Sequence, residues 1–234
     1  MRIHIGTSGF SYAPWRGSFY PEKLPATKML AYYAERLDAV EINNTFYRMP
    51  APAMLDKWAA ETPPGFRFAL KSPRRITHEK KLADVADSLT RLREAAGTLG
   101  ERLGPVLFQL PPFLKKDLPR LQAFVAELPP GLRAALEFRH DSWFTPDVYD
   151  TLRARDVALC LAESEELATP VEETSSWGYL RLRRQDYDDA ALAGWAERIK
   201  GRGWSDAYVF FKHEDEGVGP KLAAKLRALV GGAT

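Results

Sequence analysis

Short apolar runs recur along the chain with polar stretches between them: RIHIG from Arg2, AVEIN from Ala39, RFALK from Arg67, PVLFQL from Pro105, AALEF from Ala134, VALCLA from Val157, GYLRL from Gly178 and AYVFFK from Ala207. Each has the length and composition of a strand, and successive starts lie a strand plus a helix apart rather than a hairpin apart. Parallel pairing follows, because parallel neighbours need a long crossover. The segments TKMLAYYAERL, PAMLDKWAAE, LADVADSLTRLREAAGTL, LPRLQAFVAEL, PDVYDTLRARD, DAALAGWAERIK and PKLAAKLRALV carry apolar residues at three- and four-residue spacing and read as helices. Pro146 after Thr145, Pro119 behind Asp117 and Pro220 after Gly219 sit where a first helical turn tolerates a missing N–H, and Gly201 sits where a C′ residue would end its helix. ESEELATPVEETSSW, between the sixth and seventh runs, is too polar and irregular for a core-facing helix and reads as a loop or short turn.

Eight such units in 234 residues predict an α/β protein, a single (β/α)8 TIM-barrel-like domain over residues 1–234 with the helix between strands six and seven short or absent. The chain is slightly smaller than the roughly 250 residues typical of that fold. A doubly wound open sheet is the alternative, since periodicity does not reveal closure. Composition suits one domain with a substantial core: 45% of residues are hydrophobic and 27% charged. Thirty-three Lys and Arg nearly balance 31 Asp and Glu, so the net charge of +2 gives no bulk argument for nucleic acid or an anionic membrane. Any polyanion site must come from local clustering. No apolar run approaches the roughly 20 residues of a membrane span, and MRIHIGTSGF lacks a signal-peptide pattern, so a cytoplasmic protein without membrane contact is expected. The lone cysteine, Cys160, excludes an internal disulfide and a cysteine-based metal cluster; within VALCLA it reads as a buried strand thiol.

In a barrel, chemistry gathers at the C-terminal ends of the strands. Those ends are unusually polar here: Glu41 and Asn43, Lys71, Gln109, Glu137 and Arg139, Arg181 and Arg183, and Lys212. Charges in otherwise apolar strands must be paired, hydrogen-bonded or facing a wet pocket. A purely structural ion-pair network is therefore one reading. The following loops add aromatic, amide and basic side chains: Tyr12, Trp15 and Arg16 after strand one; Asn44, Thr45, Phe46, Tyr47 and Arg48 after strand two; His78 after strand three; His140, Asp141 and Trp143 after strand five. GTSG after strand one is neither a Walker A sequence nor a dinucleotide fingerprint and reads as a tight turn. Among the rings, Phe46 and Phe113 read as core or lid residues, while Tyr47 and Trp15, with polar handles, are the better stacking candidates.

GTSGFSY, VEINNTFYR, FALKSPRRITH, LFQLPP, EFRHDSW and the terminal strand, in that order from Gly6 to about Phe211, together resemble the YecE-like family, domain-of-unknown-function family 72, a set of TIM-barrel-like proteins. The resemblance implies the barrel and supplies no reaction. Carried over residue by residue, its pattern marks Glu41, Asn43, Asn44, Thr45, Phe46, Tyr47, Arg48, Lys71, Thr77, His78, Gln109, Glu137, Arg139, His140 and Trp143. Two blocks depart from it. Where the family usually resembles YxRLHG, this chain has YLRLRRQ, keeping Arg181 but placing Arg183 and Arg184 at the His-Gly pair; where strand eight commonly resembles YFNN, it has FFKHEDEG. The added basic residues strengthen an anion-binding reading.

These residues predict an enzyme acting on a phosphorylated or otherwise anionic substrate, with a nucleotide or nucleic acid among the candidates and hydrolysis or elimination as the reaction class. Glu41, Glu137 and His140 are the expected acid–base groups. Asn43, Asn44, Tyr47, Arg48, Lys71, His78, Gln109, Arg139, Trp143, Arg181 and Lys212 are the expected substrate contacts. The alternative is a noncatalytic module that captures nucleic acid or a small anionic ligand. Two carboxylates would also suit a glycosidase, but the basic surroundings favour anions. There is no organic cofactor motif. A required divalent metal is not expected, because the histidines follow different strands and nearby cations compete for the carboxylates. No protein partner can be inferred.

Overall fold

A computed structural model describes residues 1–231. Eight parallel strands, β1 (Arg2–Ser8), β2 (Ala39–Ile42), β3 (Arg67–Lys71), β4 (Leu103–Gln109), β5 (Ala134–Glu137), β6 (Ala158–Glu163), β7 (Gly178–Leu182) and β8 (Asp206–Phe211), pair in sequence order. The ring closes through β1 and β8, in register from Arg2 opposite Asp206 to Thr7 opposite Phe211. This excludes the open-sheet alternative.

Helices α1 (Met29–Ala34), α2 (Pro52–Ala60), α3 (Ala86–Gly97), α4 (Leu118–Glu127), α5 (Pro146–Arg153), α6 (Asp189–Lys200) and α7 (Val218–Val230) fill the crossovers. Their starts follow the local chemistry. Asp117 Oδ1 accepts the Arg120 N–H at 3.1 Å and Asp188 Oδ1 accepts the Ala191 N–H at 2.7 Å, each satisfying an orphan donor of a first turn. Gly201 closes α6 with φ −75°, so that helix ends without the left-handed residue its position suggests. Between β6 and β7 no helix forms. The segment is tied back instead by threonine hydroxyls: Thr174 Oγ1 accepts the Leu159 N–H at 2.7 Å and donates to the Val157 carbonyl at 2.8 Å.

Two apolar layers result. One lies between strands and helices; the other fills the barrel interior. The interior is asymmetric: Ala39, Ala69, Ala135, Ala158 and Ala162 face Tyr179, Tyr208 and Phe210, so small residues on one side make room for rings on the other. Cys160 is buried among them, as its setting predicts. Side chains alternate along a strand, so the residue two places beyond each interior residue also points inward, one layer higher. That step leads from Ala39 to Glu41, Ala69 to Lys71, Leu107 to Gln109, Ala135 to Glu137, Tyr179 to Arg181 and Phe210 to Lys212. The fold thus stacks a polar layer on an apolar one at the C-terminal mouth.

Candidate functional site

The polar layer is one connected network. Arg181, 2% exposed, donates from one guanidinium nitrogen to Glu137 Oε2 at 2.6 Å and from another to Glu41 Oε1 at 2.8 Å. Glu41 also accepts from Ser8 Oγ at 2.7 Å, Asn43 Nδ2 at 3.1 Å and the Tyr179 hydroxyl at 2.7 Å. Glu137 Oε1 accepts from Gln109 Nε2 at 2.9 Å, Arg139 Nε at 3.1 Å and Arg183 at 2.7 Å. Lys71 Nζ joins by donating to Gln109 Oε1 at 2.8 Å.

Both glutamates are wholly buried, and all four of their oxygens accept hydrogen bonds. Burial alone would push Glu41 up, but the Arg181 charge and the hydrogen bonds from Tyr179, Arg181 and Ser8 outweigh it and hold the carboxyl below its ordinary value. Burial is opposed more strongly still at Glu137, where Arg181, Arg183 and Arg139 converge and hold the carboxyl well below the usual range. Four basic side chains therefore surround two carboxylates. Donors are left over: Nε of Arg181 and Nε of Arg183 are sealed from solvent without an acceptor among the described residues.

A cavity of about 1150 Å³ adjoins this network and is lined by Arg139, Arg183, Lys212 and Ser164. Its rim is acidic, with Asp141, Glu166, Glu214 and Asp215. Lys212 is half exposed there, 4.0 Å from Glu214. On the other side of Gln109, Lys71 lies 4.4 Å from the centre of the Phe46 ring, and His78 meets the same ring edge-on. Burial and the nearby charges of Lys71, Arg74 and Arg139 lower the His78 pKa, favouring neutral imidazole. His78 lies in a single π-helical turn over Arg75–Glu79, an insertion frequent at functional sites.

The expected residues thus divide. Glu41, Asn43, Lys71, Gln109, Glu137, Arg139 and Arg181 share the network, with Lys212 at the rim of the adjoining cavity. Asn44, Tyr47 and Arg48 line a separate depression of about 440 Å³ together with Met49 and Met54, and Tyr47 is 79% exposed. His140 follows β5 with the parity of outward-facing Phe138. Its Nδ1 accepts the Ser142 N–H at 3.2 Å, capping a short turn, and no hydrogen bond joins it to either glutamate among the described residues. Trp143 requires correction as a substrate contact. It is 1% exposed, stacked on Phe138 with centroids 4.7 Å apart, its indole N–H donating to the Leu114 carbonyl at 2.7 Å. Trp15 is likewise fully buried and offers no stacking face.

Of GTSG, Gly6, Thr7 and Ser8 belong to β1, and only Gly9 begins the turn out of the strand. Gly9 adopts φ +100°, where a side chain would strike the Tyr12 hydroxyl, and its N–H donates to the Glu41 carbonyl at 2.8 Å. Sequence reasoning missed Tyr179 and Ser164 as members of the mouth. Both continue the inward parity of their strands, Tyr179 two residues before Arg181 and Ser164 two after Ala162, so the signal was present in the alternation. Among the described residues, no group of three or more His, Cys, Asp or Glu is placed to hold a metal ion, and no helix is long and apolar enough to cross a membrane.

Residues 4–234 match the protein family described as "Protein of unknown function DUF72". The chain is 32% identical over 143 residues to the UPF0759 protein YecE of Escherichia coli K12, covering 61% of this chain and 50% of that protein. It is 30% identical over 156 residues to the UPF0759 protein YunF of Bacillus subtilis, covering 63% and 54%. The chain thus spans about half the length of the curated relatives it matches. A crystal structure of a DUF72 family protein from Thermotoga maritima superposes with a TM-score of 0.86 at 26% identity, over 98% of this chain and 99% of that one.

Proposed function

The chain belongs to the DUF72 family of proteins of unknown function, and we propose that it is an enzyme whose barrel mouth binds a small organic molecule through a phosphoryl or other anionic group. The observation that carries this reading is the donor excess: every carboxylate oxygen in the network is occupied, while among the described residues Arg139 and Arg183, which line the cavity, each donate to Glu137 from one nitrogen and keep further guanidinium N–H groups for an acceptor-rich ligand. An anion that reaches the inner end of the cavity would take up the guanidinium N–H groups that Glu41 and Glu137 leave unused. The glutamates then act by fixing the guanidiniums. Carboxyls held below their ordinary values and saturated with donors are poor proton carriers, so acid–base work falls to the less constrained His78 and Lys71.

The acidic rim favours a compact ligand over a polymer. Asp141, Glu166, Glu214 and Asp215 would repel successive phosphates of a nucleic acid strand, whereas one buried anionic group passes them and meets the arginines. Calorimetric titration with inorganic phosphate tests the reading. Binding is expected, weakening as salt is raised, and Arg139→Ala should loosen it at least tenfold; absence of binding, or equal affinity in the variant, would overturn it. Turnover of a phosphorylated compound, in a screen of such compounds, separates the enzyme from a noncatalytic binding module.

A further inference from the structure

Lys71 differs from the other bases of the network. Arg139, Arg181 and Arg183 each touch a carboxylate, whereas the Lys71 amine meets the neutral amide oxygen of Gln109. It ends β3 at the chemically active face of the barrel, half-buried, with the Phe46 ring on one side. Gln109 is itself oriented, because its amide nitrogen donates to Glu137 Oε1 at 2.9 Å, which turns its oxygen toward the lysine. A neutral amine can donate one hydrogen to that oxygen and keep its lone pair free.

We propose that Lys71 is an amine nucleophile that condenses with the carbonyl group of an anionic aldehyde or ketone bound at the mouth. The inference rests on the anion-binding reading and names its substrate class. The Nζ lone pair forms a bond to the carbonyl carbon as the C=O π pair moves to oxygen. That oxygen takes up a proton, giving a carbinolamine. Nitrogen gives up one of its two protons as the carbinolamine forms and the other as the hydroxyl leaves with a second proton as water, which leaves the C=N bond. Amine plus carbonyl compound thus become imine plus water, with no oxidant or reductant.

The surroundings supply the reactive form. Burial and then the Arg181 and Arg139 charges lower Lys71 to about 8, against the opposing pull of Glu137 and Glu41. The Phe46 ring favours the ammonium only weakly, so burial and the guanidiniums prevail. A substantial unprotonated fraction at neutral pH is what a Schiff-base lysine requires. His78, in contact with the same ring, is the nearby group available to relay the oxygen's proton.

The probe is pyridoxal 5′-phosphate, an aldehyde bearing a phosphate, with borohydride reduction and peptide mass mapping of the intact wild-type chain. Lys71 should be labelled at least tenfold faster than the exposed Lys57, Lys200 and Lys225. Pyridoxal, without the phosphate, should also select Lys71, more slowly. Selective labelling by both aldehydes at equal rates upholds the amine and removes the anion reading. Labelling of Lys71 no faster than the exposed lysines overturns the inference, while phosphate titration of the same sample still decides the anion site. Trace acetylation across pH adds a readout that needs no ligand: the Lys71 midpoint should fall near 8, against about 10.4 for an ordinary lysine. Gln109→Leu should slow imine formation without abolishing phosphate binding, and an unchanged rate would remove the positioning role of Gln109.

Discussion

The two ends of the barrel are built from the same chemical parts and treat charge in opposite ways. At the N-terminal end, Arg133 pairs with Asp206 at 2.9 Å and reaches the Tyr208 hydroxyl at 3.3 Å, with its side chain 42% exposed. At the C-terminal end, Arg181 pairs with Glu41 and Glu137, with Tyr179 completing the set, and almost none of it meets water. The lower pair is balanced and screened; the upper cluster is sealed and carries surplus cations. Fold requirements explain the first arrangement. The second takes charge out of water at a cost of several kcal/mol per ion.

Removing the central arginine breaks this contrast most severely. Arg181→Met leaves two buried carboxylates without their cation and should cost about 3–5 kcal/mol, whereas Arg133→Met should cost under about 1 kcal/mol, both read from denaturant unfolding. The pH response sharpens it. In the native chain Glu41 and Glu137 have depressed pKa values, so their contribution to stability is present above the unfolded carboxylate range and is lost as pH falls. Without Arg181 burial dominates at Glu41, and the variant should regain part of its deficit as pH is lowered from 7 toward 5. Equal losses in the two variants, or a deficit insensitive to pH, would erase the distinction between the ends.

The two ends were not equally legible in the sequence. Strand starts and crossovers could be read because each strand is a short apolar block and α2, α4, α5 and α6 open at a proline or an acidic cap, features set by neighbouring residues alone. The convergence of Glu41, Glu137 and Arg181 followed from alternation within strands, which holds as long as the strand lasts. It persists for a residue or two past a strand's end, as Asn43, Arg139 and Arg183 show, and fails beyond that. His140 and Trp143 lie beyond β5, where a short turn redirects the chain; the imidazole caps that turn and the indole finds Phe138 in the core. Residue type suggested binding, but direction is a tertiary property. The role of the glutamates was hidden for a related reason: a buried carboxyl has a raised or lowered pKa according to how many donors reach it, and the Tyr179, Ser8 and Arg183 contacts come from distant strands.

An intermediate effect is expected at the lower end. His4 is buried in β1 and stacked on Tyr208 with ring centroids 4.8 Å apart. Burial, helped by Arg67, lowers its pKa to about 4. Below pH 6.5 the unfolded chain takes up a proton that the folded chain refuses, so stability should fall with pH, by about 2 kcal/mol between pH 7 and 5. His4→Phe keeps the stack and removes the titration, so its unfolding free energy should be flatter over that interval. A slope unchanged by the substitution would assign acid sensitivity to other groups.

The smallest expected effect tests the mouth most finely, because it compares neighbours that differ mainly in parity. Arg183 turns into the network and reaches Glu137 at 2.7 Å; Arg184 turns away, 44% exposed, with its guanidinium 3.9 Å from Glu163 and over the Tyr187 ring. Either substitution removes one positive charge near the same opening. If phosphate is held by oriented inward guanidiniums, Arg183→Gln should weaken its binding several-fold, while Arg184→Gln should leave affinity within about twofold and stability within about 0.5 kcal/mol. If attraction came from net charge at the mouth, both variants would lose the same affinity, and the loss would vanish in high salt. Titration of the two variants at low and high ionic strength therefore separates a built anion site from a merely basic surface.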